Sequence, residues 1–312
     1  MKITLDVVII AGLTNGRMIT EYLVNDINSR ILKVYVLKDE YENKVSDFVK
    51  FDDIVDEKIL CKIDNINNHE KEIINLKPDI IFVIGWSQLI SKKIISSAKI
   101  GVIGFHPSKL PKDRGRSVLA WQIVEGYEEG YVSMFWIDEG VDSGGIIGQQ
   151  HYTIGYTDTI RQVLNKVYCV CLDLVKKYYP LIVDNNIISI EQDDVNATYR
   201  KKRTESDSRI DWLKDSKSIY DLIRAISEPY PGASTLLNSS EILVLEAEEV
   251  IYCSDYLGND NDIGTIIGYI PFVGIIVKCG INNILIKKVK ANNKYLVGKE
   301  LVSYFHIGDK FN

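Results

Sequence analysis

The sequence predicts an α/β protein with a doubly wound, mostly parallel sheet, followed by a smaller β-rich domain. Three observations support this prediction. In the first half of the chain, buried-strand patterns alternate with segments of helical spacing. Turns rich in Gly and polar residues follow those strands, with the sequences GLTNG, GWSQ, GFHPS and DEGVDSGG. After about residue 200, short strands separated by Gly and Asn turns replace the alternation.

The first half of the chain alternates predicted strands and helices. The strands are expected at 6–11, 31–37, 79–84, 100–103 and 132–138. The helices are expected at 18–27, 91–98 and 118–125. Right-handed crossovers between parallel strands produce a Rossmann-like sheet, and ligands then bind beyond the carboxyl ends of its strands. The four turns lie at those ends, which predicts a functional site there.

The second domain is predicted to be a linker helix and a small, OB-like β-barrel. The helix is expected over 216–226, with Ser216 as its N-cap. The strand-like runs EILVLEAEEVI, GTIIGYI, VGIIVKCG and NILIKKVK follow it. A polar stretch precedes the helix, so we predict one domain at 1–200 and a second at 201–312.

Composition and charge exclude several classes of protein. The chain has 312 residues, of which 46% are hydrophobic and 26% charged, as in globular proteins. Its net charge of −6 opposes a dedicated nucleic-acid binder, which presents a basic face. No apolar run approaches the roughly 20 residues of a membrane helix. The five Cys are scattered without metal-ligand spacing, so we expect no metal and a reduced, cytoplasmic compartment.

The segment GFHPSKLPKDRGR presents a candidate acid–base residue. Pro107 keeps His106 out of helical geometry, so the imidazole lies on extended backbone at the carboxyl end of a strand. Arg114 and Arg116 add two guanidinium groups, which suit a phosphate or a carboxylate. A His before a Pro also occurs in ordinary structural turns, and this alternative stays open on these residues alone.

Two other turns hold candidate groups. GLTNG lacks the full G-x-G-x-x-G pattern, so it is either a tight turn or an anion site made of backbone N–H groups. The loop DEGVDSGG offers the carboxylates of Asp138, Glu139 and Asp142, which either form turns or orient His106 and share its proton. No Ser or Cys stands in an evident nucleophile elbow, which favours direct transfer over a covalent intermediate.

These segments together resemble the folate-dependent formyltransferases. The family includes methionyl-tRNA formyltransferase, glycinamide ribonucleotide formyltransferase and sugar-nucleotide N-formyltransferases. The resemblance rests on HPSKLPKDRGR and on Asp142, 36 residues after His106 in DEGVDSGGIIGQ. RKKRTESDSRIDW, LIRAISEPYPGAST and GTIIGYIPFVGIIVKCGINNILIKKVK are similar to the family's linker and carboxyl-terminal barrel. The resemblance therefore implies the formyltransferase fold over most of the chain.

The resemblance also implies a reaction and its site. A formyl group would pass from the co-substrate 10-formyltetrahydrofolate to a primary amine through a tetrahedral intermediate. His106 would lie beside the reacting carbon, and Asp142 would fix it as proton acceptor or relay. The folate-contacting residues implied are Trp86, Gln88, Leu89, Ile90, Asp138, Glu139, Gly140 and Val141. The acceptor-contacting residues implied are Asn15, Ser108, Arg114, Gly115 and Arg116.

One position departs from the family. Its motif usually has an Asn two residues before the His, and here that position is Gly104. Loss of one oxyanion donor typically costs about 10²–10³ in rate. One alternative is that another donor (Gln88, Ser108, Asn15, a backbone N–H or water) replaces the Asn. The others are a non-catalytic folate- or nucleotide-binding relative and a related transferase of a different one-carbon or carbamoyl group. The GFHP variant resembles enzymes that formylate nonulosonic-type sugar nucleotides, CMP-pseudaminic acid formyltransferases among them.

Three acceptors compete. Phosphate contacts dominate tRNA binding, and KKR near residue 201 is the only compact basic cluster in this acidic chain. Glycinamide ribonucleotide formyltransferases are typically shorter and lack the added domain. A nucleotide-linked amino sugar therefore fits best, with the implied context of glycan biosynthesis in the cytoplasm, no membrane partner and a homodimer as one option for assembly. Relatives often place the linker that holds Tyr199, Arg200 and Arg203 near the acceptor.

Overall fold

The computed structural model describes residues 4–250 and 263–312, so Cys253 lies outside the described residues. The chain divides into two compact units. The first unit comprises Met1–Val118, Glu129–Thr153 and Leu164–Arg200. The second unit comprises Leu119–Glu128, Ile154–Val163 and Lys201–Asn312. His106 and Asp142 both belong to the first unit.

A seven-stranded sheet organises the first unit. The strands of this unit are β1 (Leu5–Ala11), β2 (Ser29–Leu37), β3 (Leu60–Ile63), β4 (Ile80–Ile84), β5 (Gly101–His106), β6 (Arg114–Gly115), β7 (Glu129–Trp136), β8 (Ile146–Thr153) and β9 (Tyr199–Arg200). The order in the large sheet is β3-β2-β1-β4-β5-β7-β8. Five neighbouring strands, β3, β2, β1, β4 and β5, run parallel to one another. The last two strands, β7 and β8, are antiparallel to their neighbours. The predicted mostly parallel sheet is confirmed.

Hydrophobic burial explains why the central strands are recognisable. All five residues of β4 (IIFVI) are buried, and six of the seven in β1 (LDVVIIA) are. Such continuous apolar runs are typical of parallel strands that are covered on both faces. The strand order reverses between β1 and β4, and the crevice at such a switch point is where doubly wound sheets bind ligands.

Three of the five helices described before residue 200 lie at or near predicted positions, with differences at their ends. They are α1 (Leu13–Val24), α2 (Glu70–Leu76), α3 (Lys92–Ile95), α4 (Val118–Val124) and α5 (Ile160–Val183). The helix expected over 91–98 is only one turn long. The strands β3 and β8, the helix α2 and the 24-residue α5 were not predicted. None of the helices in 4–250 and 263–312 is long and apolar enough to cross a membrane.

From residue 201 onward, the described part of the second unit is an antiparallel sheet with two α-helices. Its elements are α6 (Ser216–Ile226), β10 (Ala233–Leu237), β11 (Ser240–Val250), β12 (Ile266–Ile270), β13 (Gly274–Lys278), β14 (Asn283–Ala291), β15 (Lys294–Val297) and α7 (Gly298–Tyr304). The order is β10-β11-β14-β13-β12, and β15 pairs with β14. The last residues bond to both outer strands, since Asn312 exchanges backbone hydrogen bonds with Leu236 and Gly308 donates to Ile266. This closure produces the predicted barrel-like domain.

The cap of α6 is one residue earlier than predicted. The Asp215 carboxylate accepts a hydrogen bond from the Ser218 backbone N–H at 2.9 Å, so Asp215 is the N-cap and Ser216 is the first helical residue. Asp and Ser are comparably good N-caps, so their preferences do not separate two adjacent candidates.

Candidate active site

Strand β5 delivers His106 to the carboxyl edge of the sheet, where the following turn is fastened to β7. Within the turn, the Ser108 hydroxyl donates to the Lys112 carbonyl at 2.6 Å. Ser133 of β7 donates its hydroxyl to the Ser108 carbonyl at 2.6 Å and accepts the Leu110 N–H at 3.2 Å. Ser108, predicted to contact the acceptor, is buried and engaged in shaping this turn.

The two ring nitrogens of His106 face two different acceptors. Nε2 lies 2.7 Å from the backbone carbonyl oxygen of Asp113. Nδ1 lies 3.4 Å from Oδ2 of Asp142. A carbonyl oxygen only accepts, so in this geometry Nε2 carries the hydrogen and Nδ1 of the neutral ring holds the lone pair. A proton gained at Nδ1 is then placed against the Asp142 carboxylate.

Asp113 and Asp142 hold these acceptors through unusual backbone conformations. Their φ angles are 55° and 52°, in the left-handed region that Asp tolerates better than most residues. Oδ2 of Asp142 also accepts the Gly115 backbone N–H at 2.8 Å. The His106 side chain is only 6% exposed, whereas that of Asp142 is 23% exposed. The carboxylate is therefore the more solvent-accessible member of the pair.

The structure brings the two predicted folate-binding loops together. An ion pair of 2.6 Å joins Lys92, after the first loop, to Glu139 in the second. Each loop exposes a large apolar side chain, Leu89 at 84% and Val141 at 53%. Asp138 accepts hydrogen bonds from the Gly140 N–H at 2.9 Å and from the Ser143 hydroxyl, which forms an Asx-type turn. Asp138 and Gly140 thus shape the second loop.

The other predicted folate residues lie closer to the protein interior. Trp86 and Ile90 pack against the hydrophobic core beneath the sheet. Gln88 accepts the Ile66 N–H at 3.1 Å and donates to the Asp64 carbonyl at 2.7 Å, so its amide fastens the first loop to the chain after β3.

A cavity of about 140 Å³ lies at the carboxyl ends of β1, β2 and β4. Apolar cavities of about this size can hold a single aromatic ring. The buried Trp86 Nε1 has no hydrogen-bond partner within the described ranges. The lining residues are Ala11, Gly12, Leu13, Val36, Leu37, Val45, Ser46, Phe48, Val49, Phe51, Gly85, Trp86, Ser87 and Gln88.

The amino terminus of α1 is already occupied by a carboxylate. Asp47 accepts the Thr14 backbone N–H at 3.1 Å and the Tyr168 hydroxyl at 2.7 Å. An anionic ligand would meet this negative charge, so the structure favours the tight-turn interpretation of GLTNG over the anion site. The Asn15 side chain also has a structural role, since its oxygen accepts the Gly16 N–H at 2.9 Å. Burial raises the pKa of the nearby Cys171 thiol to about 12, so this thiol is no nucleophile at neutral pH.

Asp47→Ala is expected to lower the free energy of unfolding by about 1 kcal/mol, because α1 loses an acceptor for an otherwise unpaired N–H. The measurement is urea unfolding followed by circular dichroism. Asp53→Ala is the matched control, since Asp53 is 68% exposed in its ion pair with Arg17 and should cost less. Equal stability of Asp47→Ala and the parent protein would contradict the capping role.

The two predicted substrate-binding arginines differ in their surroundings. The Arg114 guanidinium is buried and donates to Gln192, Asp194 and Tyr199 at 2.7–3.0 Å. Its donors are thus engaged within the protein, which favours a positioning role over phosphate binding. Arg116 is exposed. Between them, a Cβ on Gly115 would lie 2.4 Å from the Arg200 carbonyl oxygen, so only Gly fits.

The space beside Gly104 is filled by apolar side chains. A Cβ at this position would lie 2.8 Å from Cγ1 of Ile137 and 3.1 Å from Cε1 of Phe135. Of the three side chains considered as substitutes for the missing Asn, Ser108 donates its hydroxyl hydrogen to the Lys112 carbonyl and Gln88 donates to the Asp64 carbonyl. The side-chain oxygen of Asn15 accepts the Gly16 N–H.

Sequence reasoning missed several residues that surround His106 and Asp142. Asp113 supplies the carbonyl on Nε2, and Gln192 donates to the carbonyls of Asp142 and Gly144 at 2.8 Å. No local pattern marks Gln192, since its partners lie about 50 residues away. The described residues contain no group of His, Cys, Asp and Glu suited to a metal ion.

Comparison with known families identifies the family of the chain. The family described as "Formyl transferase" matches residues 43–172, and "Formyl transferase, C-terminal domain" matches residues 202–304. The chain belongs to the formyl transferase family. The expected family and fold are thereby confirmed, as is the expectation that the protein is a transferase enzyme.

Two sequence relatives show how far the similarity extends. This formyl transferase is 29% identical over 243 residues to the methionyl-tRNA formyltransferase of Fusobacterium nucleatum, and the match covers 77% of each chain. It is 30% identical over 249 residues to the bifunctional polymyxin resistance protein ArnA of Wigglesworthia glossinidia brevipalpis. That match covers 76% of this chain and 37% of the relative, so the chain spans little more than a third of ArnA.

Solved structures share the fold at lower identity. HypX from Aquifex aeolicus, in complex with tetrahydrofolic acid, has a TM-score of 0.67 and 16% identity over 94% of this chain, which spans only 46% of HypX. WlaRD, a sugar 3N-formyl transferase with dTDP and 5-N-formyl-THF, has a TM-score of 0.66 and 20% identity, with 94% and 99% of the two chains covered. The Helicobacter canadensis N-formyltransferase with folinic acid and dTDP-3-aminofucose scores 0.67 at 18% identity, covering 91% and 99%.

Proposed function

We propose that this formyl transferase moves a formyl group from 10-formyltetrahydrofolate to the primary amine of a nucleotide-linked amino sugar. The observation that carries the proposal is the His106–Asp142 pair, 3.4 Å apart at the carboxyl edge of the sheet. In this proposal residues 1–200 form the catalytic domain, and residues 201–312 form the linker helix and small barrel. The reaction would serve glycan biosynthesis in the cytoplasm.

The folate would bind along the two joined loops. Leu89 and Val141 are large apolar side chains left open to solvent on either loop, and a flat pterin ring would cover them. Trp86 and Ile90 would support the first loop from the core, and Glu139 would hold the second loop through Lys92. The solved relatives with tetrahydrofolic acid and 5-N-formyl-THF support a folate co-substrate.

The His106–Asp142 pair would manage the proton of the reaction. The amine nitrogen attacks the formyl carbon, a C–N bond forms, and the formyl oxygen becomes an alkoxide. The attacking nitrogen then loses one proton, which the half-buried Asp142 carboxylate relays to Nδ1 of His106. Collapse of the alkoxide breaks the bond from the formyl carbon to N10 of the folate, and N10 takes up that proton from the pair as tetrahydrofolate leaves.

The alkoxide would be held without a side chain at residue 104. Ile137 and Phe135 make that side of the site apolar, so the developing charge would lie in a low-dielectric environment. A hydrogen bond from a single backbone N–H or bound water stabilises the alkoxide more in that environment than in bulk solvent. With this arrangement, the protein could catalyse formyl transfer although residue 104 is Gly.

The acceptor would meet Arg116 rather than Arg114, because only Arg116 is exposed. The dTDP and dTDP-3-aminofucose in the solved relatives support a sugar nucleotide. A second candidate, formyl transfer to methionyl-tRNA, is supported by the Fusobacterium nucleatum relative at 29% identity. The net charge of −6 counts against it.

A turnover assay tests the proposal directly. 10-Formyltetrahydrofolate is supplied with a panel of amino-sugar nucleotides and with methionyl-tRNA, and tetrahydrofolate release and product mass are measured. We expect one sugar nucleotide to gain a formyl group. Product from methionyl-tRNA alone would replace the proposal with the second candidate. Tight folate binding without any product would support a non-catalytic, folate-binding relative instead.

A further inference from the structure

We propose that residues 192–200, here called the brace, position His106 for proton transfer, with Arg200 as the main positioning residue. The geometry of the brace stands by itself, whereas its consequence for rate rests on the proposed function. The brace follows helix α5 in the chain, ends in strand β9, and belongs to the same compact unit as His106. Its role is argued from its contacts with the two aspartates that face the imidazole.

The brace holds Asp113 at two points and the next residue, Arg114, at a third. Nε of Arg200 donates to the Asp113 carboxylate at 2.8 Å. The Thr198 hydroxyl accepts the Asp113 backbone N–H at 2.8 Å, and the Thr198 carbonyl accepts the N–H of Arg114 at 2.8 Å. The Asp113 side chain is only 10% exposed, so this ion pair is largely shielded from water. These contacts maintain the left-handed backbone that directs the Asp113 carbonyl to Nε2 of His106.

Strand pairing extends the same support to Asp142. Strand β9 pairs in parallel with β6, with Gly115 opposite Arg200. The Gly115 N–H in turn donates to the Asp142 carboxylate at 2.8 Å. At the other end of the brace, Gln192 donates to the Asp142 and Gly144 carbonyls and accepts from Arg114. One segment thus secures the acceptors on both nitrogens of the imidazole.

The consequence is a fixed tautomer of His106. With the Asp113 carbonyl held at 2.7 Å, the ring hydrogen stays on Nε2 and the lone pair on Nδ1 faces Asp142. If Asp113 is released, the hydrogen can move to Nδ1 and bond to the Asp142 carboxylate. The neutral ring then has no lone pair facing Asp142, and proton transfer from the substrate amine to the ring is slowed.

The test compares Arg200→Met, Arg200→Lys and the control Arg30→Met. Arg30 forms an exposed ion pair with Asp6 at the start of β1, the opposite end of that strand from the site. Nitrogen-15 NMR of the ring identifies the tautomer, and His106→Gln assigns the signal. We expect Arg200→Met to lose the Nε2–H tautomer and to lower kcat by roughly 10²-fold with KM for folate unchanged. Arg200→Lys should recover most of the Nε2–H tautomer and most of kcat, and Arg30→Met should change neither the tautomer nor kcat.

The outcomes separate this proposal from the proposed function. An unchanged tautomer and an unchanged kcat in Arg200→Met would overturn the brace. A shifted tautomer in a protein that formylates no acceptor would uphold the positioning role and reject the reaction, because the NMR measurement needs no substrate. Should Arg200→Met fail to fold, Thr198→Val removes only the hydroxyl that accepts the Asp113 N–H and is judged by the same two measurements.

Discussion

His106→Gln will lower kcat for formyl transfer by about 10²–10⁴-fold and leave folate binding unchanged, because general acid–base catalysis contributes that factor. Gln can still donate to the Asp113 carbonyl in place of Nε2, but it cannot take up a proton beside Asp142. The measurement is single-turnover kinetics of tetrahydrofolate release, with folate affinity from calorimetry. His151→Gln, at an exposed His of β8, is the matched control and should be unaffected.

Asp142→Asn separates charge from geometry in the same pair. The Asn side-chain oxygen can still accept the Gly115 N–H, so the loop should stay in place. The negative charge that stabilises a protonated imidazole is gone, and kcat should fall by at least 10²-fold. Full activity of Asp142→Asn would show that the carboxylate takes no part in proton transfer. Full activity of His106→Gln would remove the imidazole from the mechanism.

Gly104→Asn will destabilise the protein by about 1–3 kcal/mol, although it restores the residue usual in the family. The new Cβ would lie 2.8 Å from Cγ1 and 2.9 Å from Cδ1 of Ile137, well inside van der Waals contact. Part of the cost would be met by a shift of Ile137, which is half-buried. Urea unfolding at equilibrium measures the difference in the free energy of unfolding.

A double-mutant cycle with Ile137→Ala supplies the control for this prediction. Ile137→Ala removes the atoms that the new side chain would contact too closely. The double variant should therefore lose less free energy of unfolding than the sum of the losses in the two single variants. Additive effects would show that Ile137 is not what excludes a side chain at residue 104. If the double variant also transfers formyl groups faster, the restored amide is acting as an oxyanion donor.

The fold was predictable because its signals are local. A parallel sheet is predicted by short segments of sequence, namely the buried apolar runs of β1 and β4 and the turns that follow them. The single turn of α3 and the Asp215 cap of α6 differ from prediction because neighbouring contacts decide helix ends. The short strand β3 was not predicted because its four residues are of mixed polarity and only one of them is buried.

The candidate site was predictable only in part. The motif and its resemblance pointed to His106 and Asp142 together, and the structure places their side chains 3.4 Å apart. The same reasoning offered Arg114 for the substrate, where the structure engages it with Gln192 and Asp194. An arginine in a polar loop looks the same in a sequence whether or not distant residues occupy its donors.

The sequence by itself determined the family, the alternation of strands and helices in the first half of the chain, and the residues on which the chemistry is proposed to depend. Periodic burial and short motifs encode these features among adjacent residues. Only the tertiary structure decided which polar groups pair with one another. Asp113 and Arg200 are 87 positions apart, yet their 2.8 Å contact orients the carbonyl on His106. Such pairings depend on how the chain returns to the sheet edge, and local sequence carries no record of that path.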